Sequence, residues 1–108
     1  MNTADLKARA CAAIDAETER LLTLSHCIHA QPELAFHEFQ AAAWLGDFLR
    51  ERRFDVTAGI ADLPTAFRAT AGNGAPSVAI LAEYDALPGI GHGCGHNIIA
   101  TAAVGAGA

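Results

Sequence analysis

The stretch "SVAILAEYDALPGIGHGCGHN", Ser77 to Asn97, decides how the rest of the chain is read. Its first part, Ser77 to Ala82, is apolar at both odd and even positions. A strand apolar on both faces has no side to offer to water, so it belongs in the middle of a sheet covered by helices, which points to an α/β layer. In open α/β sheets ligands sit beyond the carboxyl ends of the strands, where this strand delivers Glu83 and Asp85. Alternation puts residues 83 and 85 on one face and Tyr84 on the other, so two carboxylates converge where a cation or a reacting water is held. The competing reading is a pair of solvated loop acids.

The loop that follows places His92, Cys94 and His96 between Gly91, Gly93 and Gly95. Cys94 and His96 flank a single glycine, and in an extended path their side chains close on one ion. Thiolate and imidazole are both good ligands for zinc or a similar transition metal. A cysteine just ahead of a helix is also expected to ionise readily, as metal binding requires. Taken singly, Cys94 reads as a small buried hydrophobe and each histidine as a satisfied surface or core residue. A phosphate cradle fits poorly, since there is neither a P-loop lysine nor a GxGxxG order. A nucleophilic Cys94 with His92 or His96 as base is chemically workable but leaves Glu83 and Asp85 unexplained.

Outward from this stretch the chain reads as helices and short strands. Residues 4–29 repeat Leu6, Ala10, Ile14, Leu21, Leu24 and Ile28 at three-to-four-residue steps, interrupted at Glu17, and predict one amphipathic helix ended by Gln31 and Pro32. A second helix is expected from Glu33 or Phe36 to about Arg53, acidic early and basic late. "FDVTAGI" and "LPTAFRATA" read as short strands, with "AGNGAP" as a turn. Asn97 is placed to cap a last helix, "IIATAAVGAGA", still running at Ala108. His26, His29 and His37 lie on or near helices at spacings that give them no ligand role.

The chain has 108 residues, 52% of them hydrophobic and 18% charged, with a formal charge of -5. That length bounds it to one domain or part of one. Acidity without clustered Lys and Arg argues against nucleic acid and anionic membranes as partners. Cys11, Cys27 and Cys94 are an odd, irregular set rather than a disulfide framework, and the N-terminus has no uninterrupted apolar run. A cytoplasmic location is the expectation.

"HAQPELAFHEFQAA" and "AEYDALPGIGHGCGHN" resemble two motifs of the superfamily of aminoacylases and carboxypeptidases, co-catalytic metallopeptidases, in its amidohydrolase branch. The second is most similar to the group of aminobenzoyl-glutamate hydrolases and aminoacylase-like dipeptidases. The resemblance implies the N-terminal part of a helix-covered sheet catalytic domain of zinc-peptidase type. It implies hydrolysis of an amide in a dipeptide or N-acyl amino acid, a small-molecule substrate, and two divalent metals per full-length site. Zinc is favoured, with manganese or cobalt as alternatives. Cys94 and His96 match metal ligands, and Asp85 matches the catalytic-site aspartate that orients a ligand. Glu83 stands two before that aspartate, where relatives place His or Asp, and His92 matches the motif's first histidine; both are expected to support the ligands from behind. Asn97 stands where many members have Asp.

Pro32, Glu33 and Glu38 match the early motif, although helix-start chemistry accounts for them. The family's catalytic glutamate, its later ligands and its lid and dimerisation domain have no counterpart in residues 1–108. The expectation is therefore an incomplete catalytic domain: two N-terminal helices, three short strands, the metal loop and the start of a third helix. The 108 residues alone are expected to be inactive, with the full-length parent a homodimer. The alternatives are a truncated, non-catalytic metal-binding or interaction protein and a thiol enzyme built on Cys94.

Overall fold

The computed structural model of the chain describes residues 1–108. It is a mixed α/β arrangement of four helices and one two-stranded antiparallel sheet: α1 (Thr3–Ala16), α2 (Thr18–Ala30), α3 (Phe39–Glu51), β1 (Asp55–Ala58), β2 (Phe67–Thr70) and α4 (His96–Gly107). The core lies where α2, α3 and α4 meet, built from Leu24, Ile28, Ala41, Leu45, Phe48, Leu49, Ala100 and Val104. Gly105 sets the closeness of α2 and α4, since a Cβ there would stand 3.1 Å from two carbons of Leu21. The hairpin packs on α3, with Val56, Phe67 and Ala69 turned to the core. Val56 faces Ala69 and Ala58 faces Phe67 across the pair.

The single helix expected over residues 4–29 is two helices meeting at Glu17. Three local and tertiary bonds break it. The Glu17 N–H turns to the Ile14 carbonyl at 3.0 Å, the Thr18 hydroxyl donates to the Asp15 carbonyl at 2.6 Å, and the Glu17 carboxylate pairs with Arg52. Arg52 is itself anchored beyond α3, donating to the Phe48 carbonyl and lying 3.6 Å over the Phe48 ring. An Asn2–Asp5 capping box starts α1, which buries no residue.

The second helix starts later than expected, at Phe39. Glu33 lies outside it and caps it from a distance: its carboxylate accepts the Gln40 and Ala41 N–H groups at 3.0 and 2.8 Å. Glu38 occupies the cap position and accepts a hydrogen bond from the buried Thr65 hydroxyl at 3.0 Å. These contacts give both acids structural work.

The largest difference concerns Ser77–Ala82, expected as a central strand. It makes no ladder, and Val78 and Leu81 are 85% and 86% exposed. A strand exists only where neighbours supply N–H and C=O partners, and here pairing is confined to two isolated bridges after the segment, Leu34 to Ala86 and Leu87 to Gly91. The observed sheet therefore has two strands rather than three.

Tyr84 fastens the end of this segment to the hairpin. Its hydroxyl donates to the Thr65 carbonyl, and its ring stacks on Phe67 with centroids 6.1 Å apart. Burial, then the Glu38 charge, raises its pKa from 10.0 to about 12. Tyr84 is the sole tyrosine, so its titration is directly readable. Phenolate absorbance is expected to rise with a midpoint near 12 in the folded protein and near 10 in denaturant. Below pH 10 the phenol is neutral in both states, and above it only the unfolded chain ionises readily. Stability should thus fall as pH rises from 10 towards 12. A native midpoint at 10 would show that Tyr84 is not packed as described.

Candidate functional site

Helix α4 begins at His96, and the residue ahead of it, Gly95, is left-handed at φ 75°. That conformation suits glycine and turns the loop sharply into the helix. Asn97, expected as the cap, is instead buried inside the first turn. Its amide donates to the Ser25 hydroxyl of α2 at 3.1 Å, while its carbonyl accepts the Thr101 hydroxyl at 2.7 Å. The start of α4 is thereby pinned to α2, and the neighbouring imidazole is held with it.

The His96 ring is gripped from both sides. Nδ1 lies 2.9 Å from Asp85 Oδ1, and Nε2 lies 3.2 Å from Glu83 Oε2. Residues 83 and 85 thus converge on one side chain while Tyr84 turns to the core, as strand-like alternation requires. A carboxylate on Nδ1 fixes the orientation of the ring, the role such outer groups play for metal-binding histidines.

His92 lies behind this pair. Both of its ring nitrogens are shielded from solvent without a hydrogen-bond partner, and its ring centroid is 6.3 Å from that of His29. The Ile28 backbone lies near the ring but does not reach hydrogen-bond geometry. Burial lowers the His92 pKa, helped by the neighbouring His29 and His96 and opposed by the Ile28 backbone and Asp85. The ring is therefore biased towards its neutral form.

Cys94 is exposed and free, as are Cys11 and Cys27. No group of three or more His, Cys, Asp or Glu side chains gathers closely enough to hold an ion. Two donors, His96 Nε2 and the Glu83 carboxylate, face one another, and Cys94 stands outside them. As chemistry, thiol, imidazole and carboxylate together suit a borderline divalent ion such as zinc. His26, His29 and His37 are exposed and remain outside the cluster. A concavity of about 500 Å³ between α2 and α3, lined in part by Cys27, Trp44 and Phe48, contains none of the site residues. The contacts made by Ser25 and Glu33 were not legible in the sequence. Their partners lie 72 positions away for Ser25, and seven and eight for Glu33.

No family model matches the chain. Among characterised proteins it is 38% identical over 111 residues to a p-aminobenzoyl-glutamate hydrolase of Escherichia coli K12, covering 87% of this chain and 23% of that protein. It is 44% identical over 111 residues to the Xaa-Arg dipeptidase of Mus musculus, covering 94% of this chain and 26% of that enzyme. It is 30% identical over 106 residues to N-acetyldiaminopimelate deacetylase of Limosilactobacillus fermentum, covering 82% of this chain and 28% of that protein. The chain spans about a quarter of the length of the curated relatives it matches, at their N-terminal end.

Proposed function

We propose, from the chain's membership of the peptidase and aminoacylase family to which these relatives belong, that the protein carrying it hydrolyses an amide bond in a dipeptide or N-acyl amino acid. The observation that carries this reading to the site is the 2.9 Å contact between Asp85 and His96 Nδ1. It aims Nε2 outward as a metal ligand, with Cys94 as the second ligand and Asp85 as the residue that orients the first. Divalent metal bound there, zinc by preference and two ions in the whole protein, supplies carbonyl polarisation and an acidified water.

The chain's own residues act around that chemistry. Asp85 holds the imidazole proton at Nδ1. Asn97 and Ser25 fix the first turn of α4, and Gly95 permits the sharp turn from the loop into the helix. Burial biases His92 towards its neutral form. The 108 residues supply only part of a donor set, so turnover belongs to the longer protein, acting on a small-molecule substrate as a homodimer. No helix is long and apolar enough to cross a membrane, and three free cysteines suit the cytoplasm.

The test is an assay of the whole protein on Xaa-Arg dipeptides, p-aminobenzoyl-glutamate and N-acetyl amino acids, before and after chelation. Release of the free amino acid, lost with chelator and restored by zinc, manganese or cobalt, is expected. Activity that resists chelation but is lost on alkylation of Cys94 would replace this reading with a thiol mechanism. A second reading, a non-catalytic interaction protein, is favoured by the exposed apolar Val78 and Leu81 and predicts no hydrolysis of any of these substrates.

A further inference from the structure

We infer that the first helix is an exchange arm: α1 of one copy docks in the groove between α2 and α3 of a second copy of this chain. Helix α1 runs for 14 residues and buries none of them. A lone helix of that length is marginal in water, and in proteins such helices are held by packing an apolar face against something else. Its side chains Leu6, Ala10, Ala13 and Ile14 recur at helical spacing and form one apolar stripe, in which Leu6 is 54% and Ile14 41% exposed. At about 100° per residue, Lys7 and Arg9 stand one on each side of that stripe, with Asp5 and Asp15 on the back of the helix. Neither Lys7 nor Arg9 is paired with an acid.

The groove has the complementary character. Leu24, Trp44 and Phe48 give it an apolar floor, and the exposed carboxylates of Glu19, Asp47 and Glu51 line it. Arg20 is the one basic side chain in the lining, so three acids outweigh one base. Arg20 pairs with Glu51 and Arg50 with Asp47, but these are exposed surface pairs, which contribute little and exchange partners readily, and Glu19 has no partner. The lengths also agree. Leu6 to Ile14 on α1 and Glu19 to Cys27 along the groove each span eight residues, about 12 Å of helix. An apolar stripe flanked by cations, laid in an apolar groove edged by acids, is helix-in-groove recognition with matched charge. Within one copy α1 runs into α2 through Glu17 alone, without the loop that an antiparallel return requires, so it does not reach its own groove. A second copy offers both surfaces at once, and reciprocal exchange about a two-fold axis closes the pair. The inference depends on neither the hydrolase nor the metal reading.

The experiment is sedimentation velocity of the 108-residue chain from micromolar to millimolar concentration, read beside the fluorescence of Trp44, the sole tryptophan. It compares the wild type with Lys7→Glu plus Arg9→Glu, with Glu19→Lys plus Asp47→Lys, and with all four together. All four side chains are exposed, so the fold should survive, and circular dichroism confirms it. The wild type is expected to dimerise as concentration rises, with Trp44 emission moving to the blue as the groove fills. Either double reversal sets like charges together and should weaken the dimer at least about tenfold. The fourfold variant matches the charges again and should recover to within about threefold of the wild type. A wild-type chain that stays monomeric throughout overturns the inference. So does a dimer that the reversals leave unchanged, whose interface lies elsewhere, and so does a loss without recovery in the fourfold variant, which would show that the two sets of charges do not meet. In the whole protein, α1 amides protected from hydrogen exchange in a monomer would give the helix to another segment of that protein and overturn it as well.

Discussion

Leu45→Ala is expected to remove most of the stability of the chain. Leu45 is fully buried at the crossing of α3 with α2 and α4. Truncating such a leucine costs about 2–5 kcal/mol, because transfer free energy is lost and a cavity remains. A chain of this size has about 5–15 kcal/mol of stability in total, and only 14 of 108 residues are buried here, which puts it at the low end. Each kcal/mol shifts the melting temperature of a small domain by about 4–8 °C, so a drop of more than about 10 °C is expected in a thermal melt. The control is Leu22→Ala, whose side chain is mostly exposed and whose loss should stay within about 0.5 kcal/mol. Similar melting points for the two variants would mean that the three-helix core does not hold the fold together.

The second large effect is at His96. His96→Ala takes away the nitrogen proposed to bind the metal, and zinc should then no longer raise the melting temperature. A ligand that binds only the folded state stabilises by about 2.7 kcal/mol at a hundredfold excess over its dissociation constant, so the wild-type shift is readily measured. Asp85→Ala removes the acceptor from Nδ1 but leaves the ring. It should weaken zinc about ten- to hundredfold through lost orientation and basicity rather than abolish binding. Equal losses in the two variants would place Asp85 among the ligands themselves. Full retention by His96→Ala would move the metal away from this loop.

Hydrolysis by the whole protein and metal binding by its N-terminal loop are separable claims, which is why they have separate tests. The relatives support the first through the activities they are named for. The Asp85–His96–Glu83 geometry supports the second.

What was legible in the sequence is what neighbours along the chain decide. Helical periodicity marked the helical stretch over residues 4–29 and α3, though not the break at Glu17, and alternation placed Glu83 and Asp85 together with Tyr84 opposed. Two motifs sufficed to identify the family. What only tertiary structure decided was every feature whose partner is remote. The Glu17 carboxylate at the break pairs with Arg52, 35 residues on, and the pinning of α4 depends on Ser25. Glu33 caps a helix that starts six residues after it. The apolar run Ser77–Ala82 has the composition of a central strand, yet a strand needs hydrogen-bond partners from other segments, and within these 108 residues none pairs along it. Composition sets what a segment can bury, and its neighbours in space set whether it does.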